Sequence, residues 1–412
     1  MSITKSPGVA DLDEVDFSDP SFYAGDPHPI YARLRAEAPV FWSERGRFWV
    51  LSKYEDVRHV GRNADLFSSR RGTLITDSRN RDGNGPHMPG AMHLIRSDPP
   101  THTELRRLIS GRFTPRAVAA LEDKVRRIIR DLLDEMVDGV VHNAVAAVSA
   151  PATTFVIAEL MGVPQERWAE FWAWTNSAIL QIDGKQDPEH SANIAALMDY
   201  FRELCEERRR RPGDDIITDL VHGRFHGEPL NETNLLTYCK LLLTAGTETT
   251  RTLVTGGIEL LARHPDQRRL LVEGPARVPA GVEEMLRMVS PVIAFARTAK
   301  EETEIRGIPI AKDDYVVLLY PSANRDEDVW PDPDRFDVTR PQRRNLAFGF
   351  GPHVCLGAPL ARMEGRLIFQ ELLARFPDFE LAGPPVKRPS TLVSMYDDLP
   401  VVFNGRARVE GG

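Results

Sequence analysis

The sequence predicts a protein that is mainly α-helical and has a small β portion. Between Pro100 and about Ala262 most stretches show helical patterns, interrupted by prolines and by the PGDD at 212–215. Within this region, residues 231–263 form one long helical segment. Residues 304–320, EIRGIPIAKDDYVVLLY, alternate and turn like a short sheet. We therefore expect a single domain over residues 1–412, with a helix-rich core and a smaller β-rich portion.

The first hundred residues mix helix and strand. We expect a helix from roughly His28 to Ala38, followed by strands around Val40–Trp42 and Arg47–Ser52. Residues 72–96 are rich in Gly, Asn, Asp and Pro, and this composition predicts a long, mobile loop. Long loops of this kind often act as lids or binding loops.

Two helices in the second half of the chain have clear limits. Asn231 is a suitable N-cap for the long helix, and His264–Pro265 end it at Arg263. At 1.5 Å per residue this helix is roughly 45–50 Å long, which is enough to cross a globular domain. A later helix is expected from about Ala358 to Phe376, with a partial apolar stripe formed by Leu360, Met363, Leu367 and Phe376.

Charge and hydropathy argue against two classes of protein. The net charge is −8, and no basic stretch is interleaved with aromatic residues, so a nucleic-acid-binding protein is not expected. The first residues, MSITKSPGVADLDEVDF, lack the apolar stretch of a signal peptide. The sequence also has no window of about 18 apolar residues that could span a membrane. We expect a soluble, cytoplasmic protein.

The three cysteines do not form a shared site in the sequence. Cys205, Cys239 and Cys355 are far apart, and none belongs to a CxxC pair or to a Cys/His cluster typical of zinc. Cys205 and Cys239 lie in helical patterns, and we expect both to be packing residues, because free cysteine is commonly buried.

Cys355 lies in a different setting, the stretch FGFGPHVCLG at 348–357. It directly precedes a predicted helix, so backbone N–H groups and the helix dipole can stabilise a thiolate. Gly349, Gly351 and Gly357 allow a tight backbone and leave room for a flat, bulky group. These features suit a single axial bond to a haem iron. For the cysteine taken alone, the alternative is a glycine-rich turn with an incidental buried thiol.

The ten residues together resemble the haem-binding signature FGxGxHxCxG of the cytochrome P-450 family at every specified position. The resemblance implies the cytochrome P-450 fold, in which a long central helix crosses the domain over a buried haem. It implies that Cys355 binds the iron of haem b. It also implies that Phe348, Gly349, His353 and Gly357 contact this cofactor.

Residues 283–287, EEMLR, resemble the ExxR motif of the same family. Glu284 and Arg287 are three residues apart on a predicted helix, so their side chains can meet. Taken alone, such a pair is common on helix surfaces. In the family the pair supports the haem loop and is completed by an arginine from a PxRF stretch. Pro333–Phe336 matches that stretch, so Arg335 is expected to be the third member.

Residues 244–250, TAGTETT, lie in the middle of the long helix and resemble the family's AGxxT motif. Ala245 and Gly246 leave space beside the helix, and a threonine hydroxyl can bond a carbonyl one turn back. A contact between small residues of two helices is the alternative for the motif alone. The resemblance implies that Ala245 faces the cofactor, that Thr249 donates a hydrogen bond to dioxygen, and that Glu248 relays protons.

Residues 98–107, DPPTHTELRR, place His102 and Arg106 on one helix face, four residues apart. This spacing resembles the family's HxxxR motif, which holds a haem propionate. Arg297, in FARTA, and His353 match the other propionate contacts of the family. Arginine suits carboxylates because it can bind them through two parallel hydrogen bonds. Solvated surface cations are the alternative for each residue alone.

The resemblance covers essentially the whole chain and implies a haem-thiolate monooxygenase that hydroxylates a hydrophobic small molecule with O2. No GxGxxG stretch is present, so electrons are expected from a ferredoxin and its NAD(P)H-dependent reductase. Ferredoxins are acidic, and we predict a basic docking patch formed by Arg107, Arg112, Arg343 and Arg344. Scattered surface charge is the alternative.

An apolar substrate pocket is predicted from residues that lie near the motifs. Its expected members are Leu94, Leu242, Leu243, Val292, Ile293, Phe295, Leu392 and Met395. Such a lining favours a terpenoid or steroid-like molecule, and then a fatty acid. A haem-thiolate sensor without turnover is one alternative, and a peroxide-using or rearranging enzyme is another. The intact Glu248–Thr249 pair favours the monooxygenase.

Overall fold

The computed structural model describes residues 12–79, 92–182, 187–341 and 343–405, and helices account for most of its regular structure. The helices are α1 Pro20–Ala24, α2 His28–Glu37, α3 Tyr54–Arg62, α4 Thr101–Arg107, α5 Pro115–Ala119, α6 Glu122–Asp134, α7 Ala150–Leu160, α8 Trp168–Ile182, α9 Pro188–Arg210, α10 Ile216–His222, α11 Glu232–Arg263, α12 Pro265–Glu273, α13 Val278–Val289, α14 Tyr320–Ala323 and α15 Ala358–Arg375. The predicted helix-rich class is confirmed.

The strands are short and fall into several small sheets. They are β1 Val40–Ser43, β2 Phe48–Leu51, β3 Phe67–Ser68, β4 Val141–Asn143, β5 Arg224–Phe225, β6 Glu228–Pro229, β7 Ala294–Ala299, β8 Thr303–Ile305, β9 Ile308–Ile310, β10 Tyr315–Leu319, β11 Asp378–Leu381, β12 Val386–Lys387, β13 Tyr396–Asp398 and β14 Pro400–Asn404. The sheet predicted at 304–320 corresponds to β8, β9 and β10. The strands expected near residues 40 and 50 are β1 and β2.

The long helix α11 runs through the middle of the fold. It begins as expected, because the side-chain oxygen of Asn231 accepts a hydrogen bond from the backbone N–H of Asn234 at 2.9 Å. It ends at Arg263, immediately before His264 and Pro265, and spans 32 residues, or roughly 48 Å. α7, α13 and α15 pack against it, so it carries buried residues on several sides.

The largest sheet has the strand order β1-β2-β10-β7-β3. β10 pairs in parallel with β2 and antiparallel with β7, and every residue of β10 is buried. In this register Val316 lies opposite Arg297, which fixes the position of Arg297 on the central part of the sheet. The sheet therefore holds one of the predicted cofactor-binding residues on a rigid strand.

The two ends of the predicted loop at 72–96 contain short 3-10 turns, Ile75–Arg79 and Leu94–Arg96. Its middle part, residues 80–91, lies outside the described residues, so the mobility of the loop stays a prediction. The predicted helix after Cys355 is confirmed as α15, and the apolar stripe expected on it is buried. In the described parts of the chain, no helix is both long and apolar enough to cross a membrane.

Cys205 on α9 and Cys239 on α11 are both buried in the main core, and their thiols are close enough to share a hydrogen bond. Their surroundings are apolar side chains of the neighbouring helices. This environment agrees with the packing role expected from the sequence.

Candidate functional site

An internal cavity lies between the middle of α11 and the loop that precedes α15, and about 230 Å³ of it is open to water-sized molecules. Most of its lining is apolar. The predicted site residues that line it are Leu94, His102, Arg106, Leu242, Ala245, Thr249, Val292, Phe295, Arg297, Phe348, Gly349, His353, Cys355 and Gly357. Residues from five regions of the sequence therefore meet at one place.

The loop before α15 is shaped by two glycines in the left-handed region of backbone space. Gly349 has φ 67° and Gly351 has φ 76°, values that other residues rarely adopt. A Cβ atom at Gly351 would also lie 2.3 Å from the carbonyl oxygen of Gly61, at the end of α3. The backbone N–H of Cys355 donates to the carbonyl oxygen of Phe348 at 2.9 Å, which closes the loop. Cys355 is thereby fixed just before the N-terminus of α15.

The Cys355 side chain is open to the cavity although protein encloses the cavity on most sides. Burial raises the pKa of the thiol. The N–H groups of Gly357 and Ala358 and the positive charges of Arg106 and Arg362 oppose that rise. A metal cation bound to the sulfur would favour the thiolate over the thiol, because a coordinating thiol is deprotonated. The site can therefore present a thiolate to a metal centre.

Four basic side chains converge on one wall of the cavity. The rings of His102 and His353 lie 4.1 Å apart between centroids, and Arg106 and Arg297 line the cavity beside them. No carboxylate in the described ranges forms an ion pair with Arg106 or Arg297. The Nδ1 atom of His102 is buried and has no hydrogen-bond partner among the residues that the structure describes. This wall lacks an anion.

The pKa values of these basic groups also reflect their burial without an ion-paired carboxylate among the described residues. Burial, together with the charges of Arg106 and Arg297, lowers the pKa of His102 to about 4. Burial also lowers the pKa of each of the two guanidinium groups. Buried cations are costly unless a partner compensates them. A flat cofactor with two carboxylates fits this wall, and its iron would face the Cys355 sulfur, so the residues present suit a haem.

The segment of α11 that faces the cavity carries the predicted alcohol. The Thr249 hydroxyl donates to the carbonyl oxygen of Ala245, one turn back, at 2.9 Å, and both residues line the cavity. Gly246 also lines it, and a Cβ atom there would lie 2.8 Å from Cδ1 of Ile157 on α7. The close approach of Ile157 explains why the helix carries a glycine at this position.

The predicted acid, Glu248, lies on a different side of the same helix turn. Its side chain is buried, does not line the cavity and forms an ion pair with Arg251 at 3.3 Å. Glu248 is therefore not part of the cavity wall in this structure. Its role as a relay stays a prediction.

Glu284 and Arg287 on α13 form the expected buried ion pair at 2.8 Å. The prediction that Arg335 completes the pair was wrong. Its side chain is 64% exposed, and it contributes only its carbonyl oxygen, which accepts from Arg287 at 3.1 Å. Arg340 takes the expected place, with Nε 3.1 Å from Glu284 Oε1. The next residue, Phe336, is buried, whereas the Arg335 side chain lies on the surface and only its backbone reaches the ion pair.

Half of the predicted pocket lining was assigned wrongly. Leu243, Ile293, Leu392 and Met395 do not line the cavity. Leu243 and Ile293 belong to buried core clusters instead. Ile293 donates its backbone N–H to the carbonyl oxygen of Leu392 at 2.8 Å, so these two segments pair with each other. Proximity to a motif in the sequence does not fix the direction of a side chain.

Sequence reasoning also missed cavity residues. Ile157 reaches the cavity from α7, Thr73 from the segment after β3, and Glu364 from α15. No motif marks the first two. Glu364 follows Cys355 by nine positions on a helix that was predicted, so its inward face could have been noticed.

The four arginines of the predicted basic patch differ in their exposure and in their partners. Arg107 and Arg344 are exposed, and the Arg344 guanidinium lies 4.2 Å from the centroid of the Phe350 ring. Arg343 is exposed as well and donates to a backbone carbonyl at 2.7 Å. Arg112 is paired with Asp214 and, at 2.6 Å, with Asp219. These two aspartates, which the sequence did not reveal as partners, reduce the net positive charge that Arg112 can offer, and the docking patch stays a prediction.

Comparisons with known proteins agree with the geometry. A family model described as Cytochrome P-450 matches residues 277–394. Linalool 8-monooxygenase of Pseudomonas putida is 36% identical, over 95% of this chain and 99% of its own length. Steroid C26-monooxygenase of Rhodococcus jostii is 36% identical, over 90% of this chain and 80% of its own. A solved cytochrome P-450 of Chondromyces apiculatus superposes with a TM-score of 0.84 at 33% identity, covering 96% of this chain and 99% of that one.

Proposed function

The chain belongs to the cytochrome P-450 family, a family of haem-dependent oxidoreductases, and on that premise we propose that it hydroxylates a hydrophobic small molecule. Its relatives are monooxygenases, which use haem and O2. One observation carries the proposal: the Cys355 sulfur lines the same cavity as a group of basic side chains, and the described part of the chain provides no carboxylate partner for the two arginines among them.

The residues of this chain divide the work around the cofactor. Cys355 would bind the iron, and His102, Arg106, Arg297 and His353 would hold the two propionates. When bound, the haem supplies oxygen activation, and thiolate ligation favours cleavage of the O–O bond. The apolar lining keeps bulk water away from the reacting groups.

Proton supply is assigned to the acid and the alcohol of α11. Thr249 presents its hydroxyl at the cavity wall, bonded to a carbonyl oxygen from which it can turn towards dioxygen. Glu248 starts in an ion pair with Arg251. We propose that Glu248 leaves its ion pair with Arg251 to pass protons towards Thr249. In this proposal, breaking the ion pair controls the transfer of protons to the cavity.

The substrate proposal rests on the lining and on the relatives. Leu94, Leu242, Val292 and Phe295 form an apolar wall beside α11, together with Ile157. One relative is named for linalool, a terpenoid, and another for steroids. These observations support a terpenoid or steroid-like substrate over a fatty acid.

Turnover with isotopically labelled dioxygen tests the proposed activity. Purified protein, a ferredoxin, its reductase and NAD(P)H are incubated with terpenes, steroids and fatty acids, and products are analysed by mass spectrometry. The expected product carries one labelled oxygen and is absent with Cys355→Ala. Ligand binding without any product would favour the sensor. Equal product formation from hydrogen peroxide alone would favour the peroxide-using enzyme.

The electron donor is proposed to be a ferredoxin that docks on a patch defined by Arg107, Arg343 and Arg344. Charge reversal at Arg107 and Arg344 together should slow reduction by ferredoxin and weaken the salt dependence of the rate. Charge reversal at Arg45 and Arg269, which are exposed elsewhere, is the matched control. Equal rates for the two double variants would reject the patch. The cytoplasmic location and the single domain stay predictions.

A further inference from the structure

A buried ion pair joins Asp77 and Arg96, which lie 19 positions apart in the chain. The Nη2 atom of Arg96 lies 2.8 Å from Oδ2 and 3.0 Å from Oδ1 of Asp77. Only 13% of the Arg96 side chain and 9% of the Asp77 side chain are exposed. Compared with apolar residues of similar size, a buried ion pair adds little stability, because desolvation offsets the attraction. Its main effect is therefore the geometry that it fixes.

Asp77 is held in place by the largest sheet. Its Oδ2 atom accepts from the backbone N–H groups of Thr73 and Leu74, each at 2.9 Å. The carbonyl oxygen of Thr73 accepts from the N–H of Ala296 on β7 at 2.8 Å. The carbonyl oxygen of Leu74 accepts from the hydroxyl of Tyr315 on β10 at 2.8 Å. Because β7 and β10 are paired strands, the carboxylate of Asp77 has a fixed position.

Arg96 lies in the segment 92–98, which supplies part of the cavity wall. Leu94 and Ile95, the two residues before Arg96, both line the cavity. A 3-10 turn over Leu94–Arg96 keeps these three residues in a compact arrangement. Closely packed side chains transmit a shift from one residue to the next. A displacement of Arg96 away from Asp77 would therefore move the apolar residues beside it.

The two ends of this segment are held by other contacts. The N–H of Met92 donates to Oδ1 of Asn234 in the first turn of α11 at 2.9 Å. At the other end, Oδ1 of Asp98 accepts from the N–H of Ser69 at 2.7 Å. The ion pair of Arg96 lies between these two contacts, next to the residues that line the cavity. It therefore decides where the middle of the segment lies relative to the sheet.

We propose that Asp77 and Arg96 are positioning residues whose ion pair holds Leu94 and Ile95 in the cavity wall and thereby sets how large a ligand enters the cavity. Neither Asp77 nor Arg96 lines the cavity, so the pair acts through its neighbours. The inference concerns bulky apolar ligands, because a small ligand needs no displacement of the wall. It rests on the proposed function in one respect, since the haem reports ligand binding.

Rates of ligand binding to the ferric holoenzyme test the inference. Imidazole and clotrimazole both bind haem iron through an imidazole nitrogen, but clotrimazole is much bulkier. Stopped-flow measurement of the Soret shift gives an association rate constant for each ligand. We expect Arg96→Met to bind clotrimazole roughly tenfold faster than the wild type, a change of about 1.4 kcal/mol. Imidazole should bind at an unchanged rate.

Further variants separate the ion pair from the turn around Asp77. Asp77→Asn loses the charge but keeps an oxygen that can accept from the N–H groups of Thr73 and Leu74, and it should also bind clotrimazole faster. Adding Arg96→Met to Asp77→Asn should bring little further change, because both substitutions remove the same interaction. Arg96→Lys keeps the positive charge and should bind clotrimazole at a rate closer to that of the wild type.

Arg208→Met is the matched control. Arg208 and Asp215 form an ion pair of similar burial, with 13% and 5% of their side chains exposed, and neither residue lines the cavity. Removing one partner of a buried ion pair is destabilising, so this variant should lower the urea midpoint, as Arg96→Met should. It should leave the association rate constants of both ligands as they are.

Three results would overturn the inference. Arg96→Met and Asp77→Asn could both bind clotrimazole no faster than the wild type, or not at all. Arg96→Met could speed the binding of imidazole as much as that of clotrimazole, so that ligand size would not matter. Arg208→Met could give the same acceleration, which would assign the effect to lowered stability. Failure of the proposed function itself would be visible separately, as absence of a haem-thiolate spectrum from the wild-type protein.

Discussion

Replacement of Arg340 tests the corrected ion network around Glu284. Glu284 is buried and interacts with two arginines, Arg287 at 2.8 Å and Arg340 at 3.1 Å. Only 10% of the Arg340 side chain is exposed, against 64% for Arg335. Arg340 also donates to backbone carbonyl oxygens, including that of Asp332 at 3.1 Å. Arg340→Met therefore removes one of two cations from a buried carboxylate.

The expected loss of stability in Arg340→Met depends on the ion pair that Glu284 keeps with Arg287. Removing the only partner of a buried charge costs about 3–5 kcal/mol, but Glu284 keeps Arg287 in this variant. A hydrogen bond to a charged group contributes about 1.5–3 kcal/mol, and the carbonyl groups released near the surface can bind water. We expect Arg340→Met to lower the free energy of unfolding by about 2 kcal/mol. Arg335→Met should change it by less than about 0.5 kcal/mol, because its side chain is exposed.

Urea unfolding followed by circular dichroism measures both variants. The midpoint of Arg340→Met should move to lower urea, with the slope of the transition unchanged, and that of Arg335→Met should stay close to the wild type. If Arg335→Met were the more damaging of the two, the assignment of Arg340 as the second partner of Glu284 would be refuted.

Three further outcomes are expected. Burial raises the pKa of Glu364 well above 4.5, so above this pH the unfolded chain releases a proton that the folded protein keeps. The free energy of unfolding should therefore decrease as pH rises above about 4.5. Urea midpoints measured at several pH values should decrease less steeply for Glu364→Gln than for the wild type. The same slope in both proteins would contradict this. Arg297→Leu should speed the loss of haem to apomyoglobin at least tenfold, whereas Thr298→Val should not; equal rates would remove Arg297 from the cofactor site. Thr249→Ala should consume NAD(P)H and dioxygen with several-fold less product per electron pair, and unchanged coupling would reject the role of its hydroxyl.

Local signals in the sequence predicted the elements that local chemistry controls. Asn231 and Pro265 mark the ends of α11 because capping and the missing proline N–H act within one helix turn. The tight loop around Cys355 was also predicted locally, because Gly349 and Gly351 allow left-handed backbone conformations, whereas the role of Cys355 as a haem ligand rests on the resemblance and stays a prediction. The strands at 304–320 followed from alternation alone.

The parts that were missed depend on contacts between distant segments. Arg340 reaches Glu284 across 56 positions, and no spacing rule distinguishes it from Arg335. Arg112 finds Asp219 on α10, which a motif search does not place beside it. Thr73 lines the cavity because its backbone pairs with β7. Packing decides such positions, and a single sequence does not record it directly.

The account depends most directly on the bond between the Cys355 sulfur and a haem iron, and the spectrum of the reduced, carbon-monoxide-bound protein measures it. The wild type should show the red-shifted Soret band typical of thiolate ligation. Cys355→His, which offers a nitrogen in place of sulfur, should lose that band while any haem it retains still binds carbon monoxide. A wild-type protein that takes up haem but shows the unshifted band, or a Cys355→His variant that keeps the shifted one, would contradict the account.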